Sequence, residues 1–99
     1  MDKGEAIKLG KKYKILVCEH FDVKDAILYG SYSKGIQKED SDIDIAIVVD
    51  DISGNYFDII PLLWKITRQV SNYIEPVLVC ENNDKSGFLK EIRKDGIVL

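Results

Sequence analysis

The eight residues Asp42–Val49, Asp-Ile-Asp-Ile-Ala-Ile-Val-Val, constrain this chain more than any others. Five of them are isoleucine or valine, whose branched Cβ suits a pleated strand better than a helix. As a strand, the segment places Asp42, Asp44, Ala46 and Val48 on one face, because successive side chains alternate. Two acids therefore share a side with apolar residues on the clearest strand of the chain.

The other elements read less sharply. From Glu5 to about Phe21 the positions Ala6, Leu9, Tyr13, Leu16, Val17 and His20/Phe21 recur at threes and fours. That period predicts an amphipathic helix despite Gly10. Ala26–Tyr29 is a short apolar run ending at Gly30-Ser31, a buried strand leading into a turn. Asp50–Asn55 reads as a polar loop. Asp58 can cap a helix reaching about Ser71, with Pro61 tolerated in its first turn. Leu63, Trp64, Ile66 and Val70 of that helix are expected in the core. Tyr73–Cys80 is a third strand, where Pro76 lacks a ladder donor and points to an edge position. Ser86 can cap a last helix, which Gly96 ends. The order αβαβαβα, with a short helix after the first strand, predicts an α/β (α+β) fold. It would be one domain over residues 1–99, a small mixed sheet flanked by helices.

Composition narrows the function. At 99 residues, 45% apolar and 31% charged, the chain is an ordinary globular domain with room for a single core. No run approaches the roughly 18 apolar residues of a membrane span. The N-terminal stretch lacks the apolar centre of a signal peptide, which predicts a cytoplasmic protein. Cys18 and Cys80 are too few for a disulfide framework. Cys18 and His20, two apart on a helix, face different ways, so reduced thiols are expected rather than a zinc site. The net charge of −3 is unevenly placed: residues 34–60 hold seven acids against two lysines. Without a basic stripe, direct nucleic-acid binding is not expected. Concentrated carboxylates predict a cation site or a solvated loop, and spacing must choose between them.

The informative spacing is Gly30-Ser31-Tyr32-Ser33-Lys34-Gly35, five residues, then Ser41-Asp42-Ile43-Asp44. A Gly-Ser turn at the end of a buried strand lets backbone N–H groups approach a phosphate, since Gly30 has no side chain in the way. Ser31 adds a hydroxyl, a short helix starting there would turn its positive end to the same anion, and Lys34 can add a charge. Asp42 and Asp44 would project about 7 Å apart along the strand, unfavourable unless a cation sits between them. Mg²⁺ suits a pair of carboxylates shared with phosphate oxygens. Together these parts specify phosphoryl or nucleotidyl transfer. Two near matches fail. Gly30-x4-Gly35 is followed by Ile36-Gln37 rather than Lys-Ser/Thr, and Asp40-x-Asp42-x-Asp44 is followed by Ile45 where a calcium loop needs glycine.

Gly-Ser, ten residues, then Asp-x-Asp, with Gly35 and Ser41 between, closely resembles the minimal nucleotidyltransferases of the DNA polymerase β-like superfamily. The resemblance runs over nearly the whole chain. It is strongest to the stand-alone family paired with a HEPN-domain toxin in prokaryotic toxin–antitoxin modules. It implies a third acid on the strand after the long helix, and Glu75 is the matching position. It further implies catalytic and metal-binding roles for Asp42, Asp44 and Glu75, nucleotide contacts from Gly30, Ser31, Lys34 and Ser41, Mg²⁺ as cofactor and ATP as substrate. The reaction implied is AMP transfer to a tyrosine of the HEPN toxin, which makes this chain the antitoxin. The competing expectation is a non-catalytic module that neutralises the toxin by occlusion. A third, transfer to a small molecule, ranks last because relatives of that kind carry a further domain. Whether copies of the chain self-associate is left open by the sequence.

Overall fold

The computed structural model describes residues 1–50, 56–84 and 86–99. Its centre is β2 (Ile43–Val49), in which every side chain except that of Asp44 is buried. β2 pairs antiparallel with β1 (Asp25–Tyr29) and parallel with β3 (Ile74–Cys80). A two-residue strand, β4 (Ile97–Val98), pairs antiparallel with the other side of β1, so the order is β3-β2-β1-β4. Pro76 accordingly lies on an edge strand, where its missing N–H costs no inner ladder bond.

Alternation divides the core between the two faces of the sheet. Ile43, Ile45 and Ile47, with Leu28 and Ile74, pack against α1 (Lys3–Cys18) and α3 (Tyr56–Thr67). α1 turns Ala6, Gly10, Tyr13 and Val17 inward, while α3 contributes Leu63 and Ile66. The Tyr13 hydroxyl donates to the Leu63 carbonyl at 2.8 Å, which ties the helices together and gives the buried phenol a partner. Burial pushes the Tyr13 pKa above the ordinary tyrosine range. On the opposite face Ile27, Ala46, Val48 and Val79 pack under Leu89 and Ile92 of α4 (Phe88–Asp95). Along that face toward the start of β2, the alternation passes from these apolar residues to Asp44.

Several sequence expectations need correction. α1 starts at Lys3, because the Asp2 side chain accepts the Glu5 N–H at 2.7 Å, and it stops at Cys18 short of His20 and Phe21. Asp58 does not cap α3: the helix already runs at Tyr56, and it ends at Thr67 rather than Ser71. Pro61 consequently sits inside α3, on its exposed side. Trp64 is 46% exposed instead of buried, because it lies about 100° around the helix from the inward Leu63. Ser86 accepts the Phe88 N–H at 3.4 Å, but the Asp84 carboxylate takes the next two N–H groups, of Leu89 and Lys90. The chain does not close on a helix. After Gly96 it adds β4, and the Leu99 N–H donates to the Ala26 carbonyl at 2.7 Å. Of the predicted polar loop, residues 51–55 lie outside the described residues.

Candidate active site

Gly30 follows β1 with φ +76°, in the region that favours glycine. A Cβ there would collide with the Asp44 Oδ2. Only glycine lets this turn cross so close to the neighbouring strand's carboxylate. The chain then makes the single helical turn α2 (Ser31–Lys34), ended by Gly35 in the left-handed conformation. The Ser33 hydroxyl donates to the Gly30 carbonyl at 3.0 Å, fixing the turn from below.

Strand register assembles the carboxylates. Tyr29 pairs with Asp44 across β1 and β2, and Asp44 pairs with Glu75 across β2 and β3. These three residues form one row across adjacent strands, and alternation puts their side chains on one face. Asp42 sits just before β2, two residues from Asp44 and on the same side. The turn that delivers it is closed by Ser41, whose hydroxyl accepts the Lys38 N–H at 2.8 Å. One residue on, the Ile43 N–H donates to the Tyr73 carbonyl at 2.7 Å and starts the parallel ladder.

The electrostatics of this group are unfavourable in isolation. Burial raises the Asp44 pKa, and the Asp42 charge adds to the rise. Loss of water also raises Glu75, followed by the Asp42 charge, a hydrogen bond with Asp42 and the Asp44 charge. Tyr29 is pushed up to about 12 by burial and then by the charges of Asp44 and Glu75. None of the ion pairs among the described residues involves Asp42, Asp44 or Glu75. Asp44 and Glu75, both raised by burial and by the Asp42 charge, stand beside Asp42 with no ion-pair partner among the described residues, and hard oxygen donors so placed fit a divalent cation such as Mg²⁺. They stand short of a closed cage: among the described residues no three His, Cys, Asp or Glu side chains are grouped to hold a metal.

A family described as polymerase beta nucleotidyltransferase matches residues 11–99. The chain belongs to this nucleotidyltransferase family. It is 37% identical over 101 residues to a protein of Methanocaldococcus jannaschii named as a candidate protein adenylyltransferase, covering 96% of this chain and 94% of that one. It is 35% identical over 83 residues to the protein adenylyltransferase MntA of Thermococcus cleftensis, covering 78% and 75%. Among solved structures, a candidate nucleotidyltransferase from Sulfolobus solfataricus superposes with a TM-score of 0.68 at 23% identity, over 97% of this chain and 80% of that one. A toxin–antitoxin complex with AMP-PNP gives 0.53 at 23% identity, over 99% and 72%. At these identities the structural likeness is one of fold.

In this nucleotidyltransferase the fold brings Gly30, Asp42, Asp44 and Glu75 to one end of the sheet, beside the Ser31–Lys34 turn. Ser41 is close in sequence, but its hydroxyl is engaged within its own turn. Three residues at this end escaped the sequence reading. Tyr29 reads there only as the end of an apolar run. Glu91 and Asp95 are not singled out within the last helix, yet with Tyr29, Gly30, Ser33 and Lys34 they line a cavity of ≈ 110 Å³. Their spacing of four, one face of a helix, was the available signal. Among the described residues no helix is long and apolar enough to cross a membrane.

Proposed function

We propose that this nucleotidyltransferase uses Mg²⁺ to move AMP from ATP onto a tyrosine hydroxyl of a partner HEPN-domain toxin, and so acts as its antitoxin in the cytoplasm. One observation carries the reading. Asp44 lies in a row with Glu75, beside Asp42, against a glycine turn that only a side-chain-free residue can make. Relatives named protein adenylyltransferases support the transfer, and the fold likeness to a toxin–antitoxin component supports the pairing.

Asp42, Asp44 and Glu75 would hold the magnesium. When bound, it neutralises their charge and that of the phosphate oxygens and lowers the pKa of the attacking hydroxyl. The chain's own groups supply position and proton transfer. Backbone N–H groups of the Gly30-Ser31 turn and the Ser31 hydroxyl bind phosphate oxygens, and Lys34 adds a positive charge. Ser41 shapes the turn that presents Asp42. Glu75, in a row with Asp44, takes the acceptor's proton. The acceptor oxygen bonds to the α-phosphorus as the bond to pyrophosphate breaks, so AMP passes to the tyrosine and pyrophosphate leaves. Residues 1–99 act as a single domain, and the partner presents its tyrosine at the open end of the sheet.

The test is to mix the chain with the product of the adjacent reading frame, the proposed partner, with ATP and Mg²⁺, and to weigh both proteins. The partner gains one or more AMP units, at a rate that Asp42→Ala/Asp44→Ala lowers by roughly a hundredfold or more. Neutralisation of the partner with no adduct would replace this reading by occlusion.

A further inference from the structure

The cavity between α2 and α4 has a chemically mixed lining. Tyr29, Gly30, Ser33 and Lys34 form one side, and Glu91 and Asp95 of α4 the other. Lys34 enters no ion pair among the described residues, although two carboxylates share its cavity; Glu91 pairs instead with Lys94 at 3.3 Å. Glu91 and Asp95 lie four apart on one face of α4, so both carboxylates border the same cavity.

The position of this wall is set by two contacts. At the start of α4 the rings of Phe88 and Tyr29 meet edge to face, 5.5 Å between centroids. At its end, Gly96 lies so close to the Ile92 carbonyl and the Ile27 side chain that a Cβ would collide with both. α4 is thereby pinned against β1 with Glu91 and Asp95 facing the Gly30 turn across the cavity.

A ligand that is only anionic is repelled by α4, and one that is only cationic is repelled by Lys34. A nucleotide meets both demands: its phosphates suit the lysine, and its sugar hydroxyls donate to carboxylates in charge-assisted hydrogen bonds. We propose that Glu91 and Asp95 are the sugar-binding wall of the nucleotide site and make the chain selective for ribonucleotides. This rests on the adenylyltransferase reading and adds to it the element that recognises the ribose.

Isothermal titration of the full chain with Mg²⁺ and ATP, or Mg²⁺ and 2′,3′-dideoxy-ATP, tests it. The wild type binds ATP about tenfold more tightly than the dideoxy analogue, the worth of hydroxyl hydrogen bonds to charged acceptors at a partly exposed site. Glu91→Ala/Asp95→Ala, both exposed positions, leaves the far-UV spectrum unchanged and brings the two nucleotides to equal affinity. Equal binding of the two nucleotides by the wild type overturns the proposal. So does a double variant that gains affinity for both alike, since the acids would then merely repel phosphate. Discrimination without AMP transfer to the partner would leave the sugar wall standing and remove the adenylyltransferase reading; transfer without discrimination would do the reverse. A chain that binds neither nucleotide defeats both.

Discussion

Asp44 is half-buried between Asp42 and Glu75, and its surroundings favour the protonated form. A carboxyl whose pKa is raised by folding binds its proton more tightly in the folded state. Its penalty is absent below the unfolded carboxylate pKa, grows as pH rises and is complete above the folded pKa. Removing the charge should therefore stabilise the metal-free protein at neutral pH. Asp44→Asn is expected to melt a few degrees above the wild type near pH 7.5 without divalent ions, with the gap closing near about pH 3.5. Adding Mg²⁺ should raise the wild-type midpoint and leave that of the variant nearly unchanged. Thermal melts at the two pH values, with and without Mg²⁺, measure both; a variant no more stable than the wild type at neutral pH would sink the electrostatic account. Asp42, Asp44 and Gly30 stand out in the sequence because alternation and a turn are local, whereas Glu75 is reached only through the family resemblance. Tyr29 does not stand out, because an aromatic at the end of an apolar run gains a role only from what pairs beside it.

Two glycines separate two kinds of constraint among the elements. Gly10 faces inward from α1, and a Cβ there would stand 2.9 Å from Leu99 Cδ1, the tip of a side chain that can shift. Gly96 joins α4 to β4, and its missing Cβ is replaced by backbone, the Ile92 carbonyl, which cannot. Gly10→Ala should cost little, since the better helix propensity of alanine, about 1 kcal/mol, offsets the crowding. Gly96→Ala should cost about 2–3 kcal/mol and loosen α4. Urea unfolding of the two variants compares them directly, and equal losses would show that the close approach at Gly96 does not matter. Gly96 was readable as a helix stop, but its reason was not. Its φ is −74°, so the position needs close packing rather than a left-handed turn. β4 was illegible for a related reason, since two residues carry no period and become a strand only by pairing with β1.

At the scale of the whole molecule the sheet has one end held and one end open. Opposite the carboxylates, Glu81 bridges Lys24 and Arg93; Lys24 also meets Asp50 at 3.4 Å, and Arg93 meets Asp25 at 2.9 Å. These five residues join the start of β1, the ends of β2 and β3, and α4. Glu81→Gln should lower the midpoint by roughly 2–5 °C, with the deficit shrinking in about 1 M salt, and leave nucleotide affinity unchanged. Melts at low and high salt decide this; a salt-independent loss would mean that Glu81 acts through packing. By itself the sequence determined that Asp42 and Asp44 share one side of their strand, because alternation is a property of the local backbone. It also determined that β2 is a strand and that Gly30 must be a turn. Only the tertiary structure decided that Glu75 and Tyr29 flank Asp44, that α4 closes a cavity over the Gly30 turn, and that Trp64 stays outside. Those facts depend on register and packing between segments far apart in the chain, and no local pattern of residues encodes the distance between them.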